Sequence, residues 1–443
     1  MNTYTIDVLT FKDGNNDGIG DIKGILEKQN YICNLPVDAI ILRFFNEIDE
    51  YQYIIENKED VKKLKNCLHK HNKLLFLYFH INSIPIDHNY FKEAKSGNKY
   101  FQQFFILSDK PPHTLETFNN YNAWGYSPEM RKYYLSLIKG RIDLNFYNSQ
   151  VQIFIRDELK ELSSLFDGFV FPYPELLLKN FIPNKTNHLH ELLDMETPVL
   201  FNELMKEIKS YTKRNLFIIS EPVIHNIWKM MDLVDFVIEN RLIMSKNITD
   251  LYNLLLDYKY ILFNGMYIAK YIMNNSFEAN EFVRGIDWIE FLGMHPIFSQ
   301  MVINILTVLG PWHYNIYSGT EIPILSETKG IFPWTNDKYV GFSTIEPRYG
   351  ALPYNFKKYN IENNPTTLQI MKKIMQIRKK MGRIRKIKSE LIDEGGVFYY
   401  SEHEKGSVML FVNLSAETLN LSVYNEEQKI IIYLFKDEII FFE

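Results

Sequence analysis

The chain has 443 residues, with 49 Lys and Arg against 54 Asp and Glu, a net charge of -5 and a pI near 6.2. That balance argues against a nucleic-acid binder held by a broad basic face, whose pI usually exceeds about 9. Hydrophobic residues at 46% and charged ones at 23% exclude a disordered chain, and the length allows a large barrel of ~250 residues with further domains.

Two cysteines, Cys33 and Cys67, are too few for a disulfide framework and point to a reducing compartment. Met1-Asn2-Thr3-Tyr4 runs straight into a strand-like segment rather than a signal peptide. The longest apolar stretches, such as 301–309, are too short to cross a bilayer. The expectation is a cytoplasmic protein with no membrane segment, no nucleic-acid partner and no organic cofactor.

In chain order, strand patterns are expected at 4–9, 37–42, 74–81, 169–171, 215–220, 233–238, 271–273 and 314–317. Helical patterns fall between most of them, at 21–33, 57–70 and 150–165 among others. About eight strands alternating with helices suit an α/β protein of (β/α)8 TIM-barrel type, although periodicity alone leaves a doubly wound sheet open. Residues 88–148 break the rhythm with mixed polar and aromatic residues, the Pro111-Pro112 pair and no clear helix. They read as an insertion after the third strand. From 385 to 443 short alternating runs predict a small antiparallel β domain, expected as a sandwich. The barrel is therefore assigned to 1–87 and 149–384.

Asp13-Gly14-Asn15-Asn16-Asp17-Gly18-Ile19-Gly20-Asp21 carries oxygen side chains at alternate positions with interleaved glycines. Such a loop can turn several oxygens toward one point, which suits a hard cation, Ca2+ or Mg2+. The expected ligands are Asp13, Asn15, Asp17, Asp21 and the Ile19 carbonyl. The competing reading is a Gly/Asn/Asp-rich turn without an ion.

With its flanks, Phe11 to Ile25, this loop closely resembles the first loop of the α-amylase superfamily, glycoside hydrolase family 13. The likeness is greatest to the oligo-1,6-glucosidase and trehalose-6-phosphate hydrolase branch. Val37 to Leu42 is similar to that branch's second strand. Asp143-Leu144-Asn145, Asp167-Gly168-Phe169, Ile316 to Ile322 and Phe332 to Phe342 resemble further family segments, in order along the chain. The resemblance implies a (β/α)8 barrel, a B domain after strand three and a C-terminal β domain.

It also implies a retaining chemistry. One carboxylate attacks the anomeric carbon and a carboxylic acid ~5 Å away protonates the leaving oxygen. By this alignment Glu221 holds the general-acid position. Pro172 stands at the nucleophile position and Val170 at that of the preceding Arg. Phe277 stands at the third carboxylate, in Asn275-Ser276-Phe277, and His80 and Asn82 are displaced remnants of a strand-three motif. The loop after strand two is shortened at Arg43 to Glu47. The chain is therefore expected to be a non-catalytic binding or scaffold protein with a carbohydrate or protein partner. The alternative is an α-glucosidase or oligo-1,6-glucosidase with a rearranged site, for which Glu175, Glu278 and Asp87 are candidate acids, each otherwise a solvated loop charge. His69, His71 and the basic run 378–388 are expected to be solvated.

Overall fold

A computed structural model describes residues 1–110, 115, 122–180, 192–212, 215–222, 234–245, 248–263, 271–274, 277–279, 281–283, 296–322, 324–326, 330–392, 396–413, 418–425, 429–435 and 438–442. Eight parallel strands form a closed barrel. They are β1 (Thr3–Asp7), β2 (Ala39–Arg43), β3 (Leu74–Tyr78), β4 (Gly168–Pro172), β5 (Phe217–Glu221), β6 (Phe236–Glu239), β7 (Tyr271–Asn274) and β8 (His313–Tyr317). Their order around the barrel is β1-β8-β7-β6-β5-β4-β3-β2. Strands buried on both faces need continuous apolar runs, and Ala39-Ile40-Ile41-Leu42 and Phe169-Val170-Phe171 supply them.

The helices follow from their periodicity. In Lys58–Lys70 the buried residues Val61, Leu64 and Leu68 fall on one face, with Glu59 and Asp60 in the first turn and His69 and Lys70 in the last. Ser149–Leu162 starts at Asn148, whose side chain accepts from Gln150 N at 3.0 Å. The helix expected over 21–33 is two helices, Ile22–Glu27 and Gln29–Asn34, separated at Lys28.

The chain forms two compact units. The first comprises Met1–Ile40, Glu239–Glu278 and Phe282–Glu443; the second is Ile41–Ile238 with Ala279–Glu281. In the first, β1 and β7 each pair with β8. Asn315 on β8 accepts from Thr3 Oγ1 at 2.7 Å and Thr5 Oγ1 at 3.0 Å. The C-terminal strands, Ile384–Ile392 onward to Glu438–Phe442, form one six-stranded antiparallel sheet in sequence order. This corrects the expected sandwich: each strand pairs with its chain neighbour, so one meander uses them all.

In the second unit β4 lies between β3 and β5. The insertion begins directly after β3, where Ser83–Pro85 pairs with Arg141–Asp143. It contains two helices that were not expected, Asn89–Lys95 and Lys99–Gln102. Both are too short to show a 3.6-residue period, but both are capped: His88 accepts from Tyr90 N and Asn98 from Tyr100 N, each at 3.1 Å. Trp124–Ser127, Lys132–Leu135 and Leu107–Ser108 make a small sheet beyond them. Among the described residues, no helix is long and apolar enough to cross a membrane.

Candidate active site

Pro172 ends β4 and lies opposite Glu221, the last residue of β5. Val170, Pro172 and Glu221 are all buried. The backbone turns sharply at Tyr173, which adopts φ 53°, a left-handed conformation costly for a residue with a Cβ. The turn is held from two sides. Tyr173 N donates to the Glu221 carbonyl at 2.9 Å, and Asn82 Nδ2 donates to the Tyr173 carbonyl at 3.3 Å. The Tyr173 side chain packs with Trp124, Leu135, Leu137 and Ile138 of the insertion and with Leu176. An apolar cluster thus follows the end of β4.

Glu175, two residues on, is 0% exposed, which corrects its reading as a solvated loop charge. The single turn Pro174–Leu176 carries it inward. Asp87 is exposed, as read from sequence. Phe277 begins a short strand, Phe277–Ala279, paired with Glu281–Val283. Its side chain, that of Glu278, and residues 275–276 lie outside the described residues.

A buried polar network, missed in the sequence, centres on Arg141. Its Nε donates to Ser83 Oγ at 3.2 Å. Its Nη1 donates to the carbonyls of Asn46 and Ile48 at 3.0 and 3.1 Å. Its Nη2 donates to Glu50 Oε2 at 3.1 Å and the Ser83 carbonyl at 2.8 Å. All five guanidinium donors are used. The other Glu50 oxygen accepts from His80 Nδ1. Burial pushes the Glu50 carboxyl up, but Arg141 and His80 together hold it below its usual value. Burial lowers His80 to about 4, with Arg141 acting in the same direction against Glu50. His80 is therefore a neutral donor here, where the resemblance gave it only a displaced motif. Asp143 pairs with Lys179 at 3.0 Å, both buried, and accepts from Leu137 N at 2.7 Å. Lys179 ends the apolar run Leu176-Leu177-Leu178, the one signal that it turns inward.

The remaining polar assignments shift as well. His69 Nε2 bonds Asp167 at 2.7 Å, and Lys65 joins the same carboxylate at 3.1 Å, so His69 is not merely solvated. His71 is exposed. Arg378 is buried on the helix Thr366–Met381 and donates to the Trp312 carbonyl at 3.0 Å. Residues 384–388 of the same basic run lie on a strand.

In the first unit the glycine-rich loop closes around Asp13, which is 1% exposed. One Asp13 oxygen accepts from Asn15 N at 3.1 Å and Asn16 N at 2.7 Å. The other accepts from Gly18 N at 2.8 Å and Ser343 Oγ at 2.6 Å. Asp17 accepts from Ile19 N at 2.8 Å, and Asp21 caps the next helix through Gly24 N at 2.7 Å. Burial raises Asp21 above the usual carboxylate value. Gly20 is required, since a Cβ there would meet the Val8 carbonyl at 2.3 Å. The expected donors are all oxygens, the type a hard cation takes, but among the described residues the carboxylates of Asp13, Asp17 and Asp21 do not gather around one point. Beyond β8, Glu321 accepts from Tyr4 Oη, from Tyr31 Oη at 2.7 Å and from Gly319 N at 2.8 Å. Burial raises its carboxyl despite these donors.

Against known families, residues 8–252 match the alpha-amylase catalytic domain, more than half of the chain. This chain belongs to the α-amylase family. Within the family, it is 30% identical over 185 residues to the oligo-1,6-glucosidase of Bacillus cereus, covering 38% of this chain and 33% of that protein. It is 27% identical over 199 residues to an amino acid transporter heavy chain of Rattus norvegicus, covering 40% of this chain and 29% of that protein. The match thus spans about a third or less of the length of these curated relatives. Trehalose-6-phosphate hydrolase of Bacillus licheniformis shares the fold with a TM-score of 0.74 at 19% identity, over 93% of this chain and 90% of that one. Isomaltulose synthase of Klebsiella sp. LX3 shares it with a TM-score of 0.76 at 18% identity, over the same fractions.

Proposed function

We propose that this α-amylase family chain is a non-catalytic member that keeps the barrel scaffold and acts by binding a carbohydrate or a partner protein. The observation that carries the reading is Pro172, whose side chain has no oxygen to attack an anomeric carbon, at the end of β4 opposite Glu221. An acid alone contributes roughly 10² to 10⁴-fold, below the ~10⁶-fold at the low end of enzyme accelerations. Similarity to both a glucosidase and a transporter heavy chain is compatible with a family scaffold used for more than hydrolysis.

The expected result is no turnover of p-nitrophenyl α-glucoside or isomaltose, and no covalent adduct with a fluorinated glucosyl donor in intact-mass spectra. Turnover that disappears in Glu221→Gln, with an adduct on Glu175, would instead establish a retaining α-glucosidase with a rearranged site. The burial of Glu175 just past β4 is what favours that second reading.

The same proposal gives the Asp13 loop a structural divalent cation, Ca2+ or Mg2+, held by Asp13, Asn15, Asp17, Asp21 and the Ile19 carbonyl. When bound, the ion would supply charge compensation and loop rigidity. Chelation of the wild type is expected to lower the Tm by several degrees, reversed by added Ca2+. Asp13→Ala should lose that response and lower the Tm further, because four donors on Asp13 lose their acceptor. A wild-type Tm unmoved by chelator would remove the ion. The reading also puts the chain in the cytoplasm, consistent with the free thiols of Cys33 and Cys67.

A further inference from the structure

In the second unit, residues of the helices Glu50–Glu56, Asn89–Lys95, Lys99–Gln102 and Ser149–Leu162 line a groove of about 360 Å³. That volume falls in the range of small-ligand sites, ~300–1,000 Å³. Its lining is mostly aromatic and contains no Lys, Arg or His.

Tyr90 is central to the wall. Its ring stacks on Phe101 at 4.5 Å and meets Phe154 at 5.1 Å and Phe104 edge-on at 5.5 Å. Tyr100 packs on Phe104 at 5.3 Å and is 52% exposed at the rim.

Glu158 is set among these rings. It is only 7% exposed, lines the groove and makes no side-chain hydrogen bond or ion pair among the described residues. Burial pushes it well above the usual carboxylate value, and the charges of Asp49 and Glu50 add to this against Arg141. Exposed Asp157 adds a second acid at the rim. A carboxyl on a groove wall with no protein partner can take one from outside.

We propose that this groove binds a small organic cation, an alkylammonium or guanidinium group, with its charge over the aromatic faces and against Glu158. Ring faces attract cations through their quadrupole, and desolvation strengthens the attraction. A cation also supplies the counter-charge that would favour the ionised form of Glu158. Two of the three lining tyrosine hydroxyls already have protein partners. Tyr51 Oη donates to Glu161 at 2.8 Å and Tyr100 Oη to Gln150 at 3.4 Å.

The test is calorimetric titration of the full chain with tetramethylammonium chloride at pH 8, against NaCl at matched ionic strength. Saturable binding is expected with the ammonium and not with Na+. Glu158→Gln, of the same shape, should weaken it about tenfold, and Tyr100→Leu at the exposed rim should weaken it several-fold. Trimethyl-lysine inside a peptide, compared with the free ion, separates the two sources of the group: tighter binding of the peptide assigns it to a partner chain, and equal binding to a free amine. No saturable heat, or binding unchanged in both variants, overturns the proposal. So does maltose binding that Glu158→Gln abolishes while tetramethylammonium gives none.

Discussion

Replacing Arg141 by Met should destabilise the protein by about 3–5 kcal/mol, measured by urea unfolding followed by circular dichroism. The side chain fills its site in both forms, so the loss is electrostatic. Methionine leaves the carbonyls of Asn46, Ile48 and Ser83 without their donor, and Glu50 buried beside a neutral His80. An unpaired buried carboxylate takes up a proton or unfolds its surroundings. Arg141→Lys keeps the charge but not the five-donor geometry and should recover only part of the loss. Adding Glu50→Gln to the Met variant should recover a further part, because the orphaned charge is gone. A Met variant within about 1 kcal/mol of wild type would show that water replaces the guanidinium.

The second large effect is acid lability through His80. Its folded pKa, lowered to about 4, lies below the unfolded value of ~6.5. Between these values the unfolded chain binds a proton that the native chain refuses. Stability therefore falls as pH drops from about 6.5 to about 4, on the order of 3 kcal/mol for this one group. Above pH 6.5 His80 contributes no slope. Glu158 and Glu321, whose carboxyls are held high, act in the opposite sense, so the diagnostic is a difference between proteins. His80→Gln keeps an amide donor for Glu50 and should flatten the unfolding free energy across that window relative to wild type. Parallel curves for the two proteins would show that His80 takes a proton as readily in the native state as in the unfolded chain. His313 and His403, each lowered to about 3 mainly by burial, extend the same trend.

What the sequence disclosed and what it concealed divide by physical range. Barrel strands such as the second were legible because a strand buried on both faces favours a continuous apolar run, as at Ala39-Ile40-Ile41-Leu42. The long helices were legible because Val61, Leu64 and Leu68 repeat on one face. The helices Asn89–Lys95 and Lys99–Gln102 were not, since two turns or fewer carry no period. The Arg141 network was invisible for a different reason. Its partners lie 91 to 95 residues away in Glu50, Ile48 and Asn46, and no local pattern marks an arginine that will be buried. Glu175 and Arg378 were misjudged for the same cause: a charge in a loop or at a helix end reads as wet until tertiary contacts enclose it.

The link from Ser343 to Asp13 has a consequence for biosynthesis. The two residues are 330 apart in the chain. At about 5–20 residues per second, a ribosome needs roughly 15 to 65 s to make the intervening polypeptide. Throughout that interval the nascent first loop lacks its last donor, and β1 lacks β8 beside it. Ring closure is thus a late event, and the half-made chain must be shielded from aggregation until its far end emerges.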